Sequence, residues 1–136
     1  MKYMLIMNTP RDGYAQYMNW PKQLIEANTA FMQAFTKKLV DAGEFVAGQG
    51  LASPEQAKRV RADGNGMPIT DGIFPESKEF LAGYWIVDVD SPQRALEIAA
   101  EASTAPGAPV TSADGTLIEH LWIEVREVLG GQQCIE

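Results

Sequence analysis

Asp71 is the residue whose type and position most favour chemistry in this sequence. It opens the stretch DGIFPESKEFL, residues 71–81, directly after a short run that ends at Thr70. Burial beside the apolar face of a sheet makes a carboxylate a stronger base, so Asp71 is a candidate general base. The alternative is a turn, because the aspartate of an Asp-Gly pair commonly accepts hydrogen bonds from nearby backbone N–H groups. The residues alone leave both roles open.

The loop that follows Asp71 contains further candidates. Glu76, Lys78 and Glu79 lie within four residues, and Lys78 is the cation between two carboxylates. Such a group can polarise or clamp a charged ligand, although a solvated loop is the ordinary explanation of clustered charges. We assign Glu76, Lys78 and the neighbouring aromatic residue Phe74 to substrate binding.

Arg61 and Arg59 are predicted to lie on the same face of a short strand. A guanidinium binds a carboxylate through two parallel hydrogen bonds, so Arg61 is a candidate substrate-binding residue. An ion pair to a residue on the neighbouring strand explains these arginines equally well.

The last predicted strand, Leu117 to Val128, alternates between apolar and polar residues and would place His120, Trp122, Glu124 and Arg126 on one face. On the cleft side of a sheet, His120 would supply an acid–base group and Trp122 a stacking surface. Arg126 would bind substrate there. The alternative is an edge strand whose mixed face is solvated.

No metal or nucleotide site is predicted. The chain has one histidine and one cysteine, and no pair of ligands stands at a structural metal-site spacing. The glycines of Gly48-Gln49-Gly50 lead to Pro54 instead of a helix, and neither a GxxxxGK[ST] loop nor a GxSxG elbow is present. We therefore expect no cofactor.

The composition predicts one small cytoplasmic domain. A length of 136 residues with 46% apolar residues suffices for one core, which we place in residues 1–129, with 130–136 as a flexible C-terminal tail. A net charge of −7 disfavours nucleic acid and anionic membrane surfaces as partners. The apolar run Tyr3 to Met7 is too short for a signal-peptide core, and Cys134 has no intrachain partner.

Apolar spacing predicts two helices and a set of strands. One helix begins at Pro21 and ends at Gly43, and a second begins after Ser91-Pro92. Asp63-Gly64-Asn65-Gly66 predicts the turn of a hairpin. The predicted strands are Tyr3–Met7, Glu44–Leu51, Ala57–Ala62, Met67–Thr70, Tyr84–Val89 and Leu117–Val128, and Ala105–Gly115 is predicted to be a surface loop.

This order of elements is the ferredoxin-like split β-α-β plan of an α+β domain with an added hairpin. Two helices cover only one face of such a sheet. Tyr3 to Met7 and Tyr84 to Val87 are apolar on both faces, and an apolar sheet face left in water favours association. We therefore expect a homodimer.

The stretch from Asp71 to Leu81 closely resembles the signature of the DGPF family within the YCII-related superfamily. The resemblance extends over nearly the whole chain. It includes Met1 to Leu5, the helix end at Ala42-Gly43, Val60-Arg61, the run Glu76 to Glu79, and Ile123 to Arg126.

The resemblance implies a dimeric α+β barrel, in which two ferredoxin-like sheets enclose a cleft. The superfamily is similar in plan to small monooxygenases and lactone isomerases, which suggests an enzymatic role. The charged loop beside an apolar strand leads to the hypothesis of a small-molecule enzyme that acts on an organic metabolite in this cleft, with Asp71 as general base. A ligand-binding or regulatory homodimer without catalysis is the alternative, and a solidly filled interface is a third. Two departures matter: Ile73 replaces the usual proline, and no early histidine is present to pair with an aspartate as in some relatives.

Overall fold

The computed structural model describes residues 1–10, 13–72, 79–108, 110–111, 114–118 and 120–130. It forms an α+β domain with three helices of four or more residues in this described part. The helices are α1 (Gly13–Met18), α2 (Lys22–Asp41) and α3 (Pro92–Ala102). The strands are β1 (Lys2–Pro10), β2 (Phe45–Gly50), β3 (Arg59–Ala62), β4 (Pro68–Asp71), β5 (Glu79–Asp88), β6 (Val110–Thr111), β7 (Leu117–Ile118) and β8 (Ile123–Glu127).

Four strands form the main antiparallel sheet in the order β2-β5-β1-β8. The first strand therefore lies in the middle, between the strand that precedes α3 and the last strand of the chain. This is the strand order of the ferredoxin-like plan, and the predicted fold class is confirmed. The added hairpin is also confirmed, because β3 and β4 pair with each other in a separate two-stranded sheet.

Helix α2 is the longest helix in the described residues and its C-terminal end is defined by Gly43. This glycine has φ of +72°, a left-handed conformation that other residues adopt at a cost, and the backbone N–H of Glu44 donates to the carbonyl of Leu39 at 2.9 Å. Phe35 and Leu39, one turn apart, are buried on the sheet side of the helix. The apolar stripe predicted from the sequence is thus the packing face.

The core lies between the two long helices and one face of the sheet. Alternate residues of β1 and β5 point into it, among them Leu5 and Val87, which are fully buried. Phe35 contacts Trp85 edge to face, with ring centroids 5.2 Å apart. The buried core residues are Tyr3, Leu5, Phe35, Leu39, Trp85, Val87, Val89, Ala95, Ile98, Ala99 and Ala102.

Two glycines of the sheet allow close packing. A side chain at Gly48 would come within 2.8 Å of the Trp85 ring, and one at Gly83 within 2.9 Å of the Gln49 carbonyl oxygen. A register shift between Phe45 and Ala47 accompanies them. Glycine at these positions therefore permits a bulge in β2 and a close approach between β2 and β5.

Helix α3 is tied to the start of β2 by an ion pair. The Ser91 hydroxyl accepts a hydrogen bond from the Arg94 backbone N–H at 3.2 Å, which is the predicted helix cap. The Arg94 guanidinium in turn donates to both carboxylate oxygens of Glu44, at 2.8 and 2.9 Å. This two-bond contact lowers the pKa of Glu44 below its ordinary value, since it stabilises the charged form.

The other face of the sheet carries none of the core residues. Because side chains alternate along a strand, the residues between the core positions of β1 and β5 point to this face. We call this surface the open face, and its apolar members are half-buried in the single chain. They are Met4, Ile6, Ala47, Tyr84 and Ile86.

Three parts of the secondary structure differ from the prediction. The strand predicted over Leu117–Val128 is divided into β7 and β8, because the chain leaves extended pairing before residue 123. Part of the loop predicted over Ala105–Gly115 instead pairs with β7 as β6. Helix α1 lies where no helix or strand is predicted, and its six residues are too few to establish a helical repeat from sequence.

Candidate functional site

A mainly apolar concave surface of the described chain lies at one end of the sheet. It is a groove of about 450 Å³. One wall follows β2 and includes Pro54, which is buried and begins a short 3₁₀ turn, Pro54–Gln56. The other wall is the start of β5. The groove is lined by Leu51, Ala52, Ser53, Pro54, Gln56, Ala57, Phe80 and Leu81.

One wall of the groove contains the short 3₁₀ turn Pro54–Gln56, a conformation that its proline and the preceding serine favour. Pro54 has no backbone N–H, which suits the first position of a helical turn. The Ser53 hydroxyl accepts a hydrogen bond from the backbone N–H of Glu55, so this cap is satisfied. Leu51 is anchored to the neighbouring strand by a 2.8 Å bond from its N–H to the Ala82 carbonyl. A fixed apolar surface of this kind suits the apolar part of a small molecule.

Asp71 lies at the end of β4, as predicted, but its surroundings differ from those expected. Its side chain is 77% exposed and its Oδ2 accepts a hydrogen bond from Arg59 Nη2 at 2.9 Å. Its Oδ1 accepts from the Gly72 backbone N–H at 2.7 Å. Arg59 Nε also donates to the Gly72 carbonyl. In the single chain, Asp71 therefore has the turn role that the sequence offered as the alternative to catalysis. It also forms an ion pair across the hairpin.

The ion pair between Arg59 and Asp71 lies beside the groove. The two residues are opposite each other at the base of the β3–β4 hairpin. Arg59 is two residues from Ala57, which lines the groove, so their Cα atoms are at most about 7 Å apart. The pair therefore lies near one rim of the groove along the chain, although neither Arg59 nor Asp71 is among the residues that line it.

The β3–β4 hairpin extends away from this rim. Gly66 takes the left-handed conformation, with φ of +80°, and Asp63 Oδ1 accepts from the N–H groups of Asn65 and Met67 at 2.8 and 3.0 Å. The predicted turn is confirmed. Arg61 is exposed and lies opposite Ile69 in this hairpin. Its relation to Asp71 is that of residues on two paired strands, two positions apart along the hairpin.

The sequence predicts that one face of a continuous strand carries His120, Trp122, Glu124 and Arg126. This prediction is wrong. His120 and Trp122 lie before β8, outside any strand, because the predicted strand is interrupted there. Glu124 and Arg126 do lie on one face of β8, with Arg126 Nε 3.8 Å from Glu124 Oε2. Trp122 is 91% exposed, a very high value for so large an apolar ring.

Three further predicted site residues, Phe74, Glu76 and Lys78, lie outside the described residues, as does Ile73. Glu79 is described and begins β5, exposed to solvent. The groove itself was missed by the sequence reasoning. The sequence signal for the groove is the apolar pair Leu51-Ala52 followed by Ser53-Pro54. By itself, this pattern indicates only the end of a strand.

Charges of both signs surround the open face. Lys2 and Asp88 are opposite each other at one end, and Glu124 and Arg126 lie along the β8 edge. Two basic and two acidic residues thus flank an apolar centre in a chain whose net charge is −7. Self-association through this face is not opposed by its local charge.

Two other kinds of site are absent from the described part of the chain. No three His, Cys, Asp or Glu side chains are grouped as a metal site requires. No helix in the same residues combines the length and the apolar character needed to cross a bilayer.

The four-stranded sheet with two helices on one face and a groove at its end defines a ferredoxin-like α+β domain with a small-molecule-sized concavity. Residues 1–111 match the model of the YCII-related domain, and the chain belongs to this family. The match includes the groove, the hairpin and Asp71. His120, Trp122 and Arg126 lie beyond it.

The chain is also similar to an uncharacterised protein of Rhizobium meliloti (strain 1021). The two are 30% identical over 86 residues, which cover 63% of this chain and 69% of the relative. The similarity supports a shared fold. It assigns no reaction.

Proposed function

We propose that this protein is a homodimeric small-molecule enzyme of the DGPF type, which acts on an organic metabolite in a cleft formed with a second copy. The observation that carries the proposal is the Arg59–Asp71 ion pair, whose arginine is two residues along the chain from Ala57 of the groove. The groove would hold the apolar part of the substrate. Arg59 would orient an anionic or carbonyl group, and Asp71 would accept a proton.

Dimerisation is supported by the open face. Met4, Ile6, Tyr84 and Ile86 form an apolar centre that two helices on the opposite face leave without cover in the single chain. A second copy offers the same surface, which is the relation that a two-fold dimer requires. Burial of this face in a dimer would also bring Asp71 nearer to apolar surroundings, as general-base catalysis favours.

The second candidate function is ligand binding without catalysis. Both carboxylate oxygens of Asp71 already accept hydrogen bonds, from Arg59 and from the Gly72 N–H. In this arrangement Asp71 holds the base of the hairpin in place, and a ligand would be bound by Arg59 and the groove. Asp71 acts as a base only if substrate takes Arg59 away from it.

A thermal-shift screen of common carboxylic and carbonyl metabolites tests both functions. A ligand that binds the native state stabilises it by a free energy that grows with the logarithm of the ligand concentration, and this raises the melting temperature. Asp71→Asn keeps the shape and one hydrogen-bond acceptor but cannot take a proton at neutral pH. Asp63→Asn removes one negative charge at the far end of the same hairpin and is the matched control.

The two functions predict different outcomes for any ligand found. For an enzyme, Asp71→Asn retains binding and loses turnover, by a factor of about 10² or more, whereas Asp63→Asn retains both. For a binding protein, no turnover is detected in the wild type and Asp71→Asn changes affinity alone. A ligand bound and turned over equally well by wild type and Asp71→Asn would exclude the proposed base.

A further inference from the structure

Trp122 and the groove lie at the same end of the sheet, on its opposite edges. One row of paired residues crosses all four strands, namely Gly50, Gly83, Met7 and Ile123. Leu51 directly follows this row on the β2 edge, and Trp122 directly precedes it on the β8 edge. The most exposed large apolar side chain of the described residues and the apolar groove are thus separated by the width of the sheet.

The geometry of a face-to-face dimer brings these two features together. A two-fold axis that runs along the strands, between two facing sheets, places the β8 edge of one copy over the β2 edge of the other. Rotation about such an axis keeps every residue at the same end of the sheet along the strand direction. Trp122 of each copy then lies over the β2 edge of the other, at the end of the sheet that carries the groove. An axis across the strands would instead place Trp122 over the opposite end, where Lys2 and Glu127 lie.

The area of the open face supports an additional anchor. The four strands overlap over five residues, which gives a surface of roughly 17 Å by 19 Å, or about 300 Å² in projection. A stable interface buries about 800 Å² on each partner. A tryptophan buries about 150–250 Å². Trp122 in the groove of the second copy, and the groove wall around it, supply part of the difference.

We propose that Trp122 of each protomer packs into the groove of a second copy, whose lining includes Leu51, Pro54, Ala57 and Leu81, so that each small-molecule site is completed by a residue of the other chain. The inference rests on the proposed homodimer. It adds an anchor, an axis direction and a shared wall: the indole closes the groove beside Arg59 and Asp71 and offers a flat surface to a planar apolar ligand.

Disulfide cross-linking between two tagged chains tests this contact. Both chains carry Cys134→Ser, so that introduced cysteines are the only ones present. One chain carries Trp122→Cys and the other Leu51→Cys. After the two are mixed and oxidised, the expected product is a disulfide between the differently tagged chains. The control replaces Leu51→Cys by Leu96→Cys, on a residue of α3 that is 52% exposed, and is expected to give no cross-link.

Sedimentation equilibrium separates this inference from the dimer on which it rests. We expect a wild-type dimer whose dissociation constant rises by about tenfold or more in Trp122→Ala and not in Leu96→Ala. Circular dichroism checks that Trp122→Ala folds, as its exposure predicts. A wild-type monomer would overturn the homodimer and the inference together. A wild-type dimer unaffected by Trp122→Ala, with no cross-link to position 51, would overturn the Trp122 contact and leave the dimer standing.

Discussion

Removal of the Glu44–Arg94 ion pair is expected to destabilise the fold by an amount that depends on pH. The two hydrogen bonds, at 2.8 and 2.9 Å, join the start of β2 to the first turn of α3. Side-chain exposure is 15% for Glu44 and 40% for Arg94. The pair is therefore intermediate between exposed pairs, worth about 0.2–1 kcal/mol, and buried pairs, whose disruption costs about 3–5 kcal/mol.

We expect a coupling free energy of about 1.5 kcal/mol, discounted for the solvent around Arg94. A double-mutant cycle of Glu44→Ala, Arg94→Ala and the double variant, measured by urea denaturation near pH 7, isolates this value from the contact between Arg94 and Glu97. Because Arg94 lowers the pKa of Glu44, the stabilisation is present above the unfolded pKa of about 4.3 and is lost as the pH falls through the lower folded value.

The same cycle at about pH 2.5 should therefore give a coupling close to zero. Thermal denaturation offers a second readout, with a decrease of roughly 3–8 °C in Tm for either single variant near pH 7. A coupling below about 0.5 kcal/mol near pH 7, or the same value at both pH extremes, would refute the reasoning.

Three further predictions concern the packing and the helix cap, and each is measured by urea denaturation. Leu5→Ala removes a fully buried side chain from the central strand and should cost about 2–5 kcal/mol; a loss under about 1 kcal/mol would contradict its central position. Ser91→Ala removes the hydroxyl that accepts from Arg94 and should cost about 1 kcal/mol, which Ser91→Asp should largely restore. Gly83→Ala brings a methyl group within 2.9 Å of the Gln49 carbonyl and should cost about 1–3 kcal/mol, whereas Gly50→Ala, which meets nothing within 4 Å, should not; equal effects would show that β2 and β5 separate freely.

Most of the fold was predictable because its elements carry local signals. Gly43 and Ser91-Pro92 mark helix ends by backbone conformation and capping, and these act within a few residues. The hairpin turn likewise follows from Asp63 and Gly66. The continuous apolar runs of β1 and β5 predicted strands with apolar residues on both faces, as observed.

The candidate site was less predictable, since it depends on contacts that are distant in sequence. Asp71 was placed correctly at a strand end, but its pairing with Arg59 depends on the register of the hairpin. The groove needs Leu51 and Phe80 side by side, and no local pattern indicates this proximity. The division of the last strand before Ile123 was missed because alternation continues through the interruption. The catalytic role of Asp71 and the substrate-binding roles of Arg61 and Arg126 stay predictions.

The three tryptophans occupy three different environments, and this makes the protein its own spectroscopic reporter. Trp85 is 6% exposed in the core against Phe35, and Trp122 is 91% exposed. Trp20 is half-buried, 5.1 Å from the Tyr17 ring and close to Gly107. Indole emission moves to longer wavelength with exposure to water. Single-tryptophan variants would thus follow unfolding of the core, docking of the chain after α3, and any burial of the β8 edge as three separate optical signals.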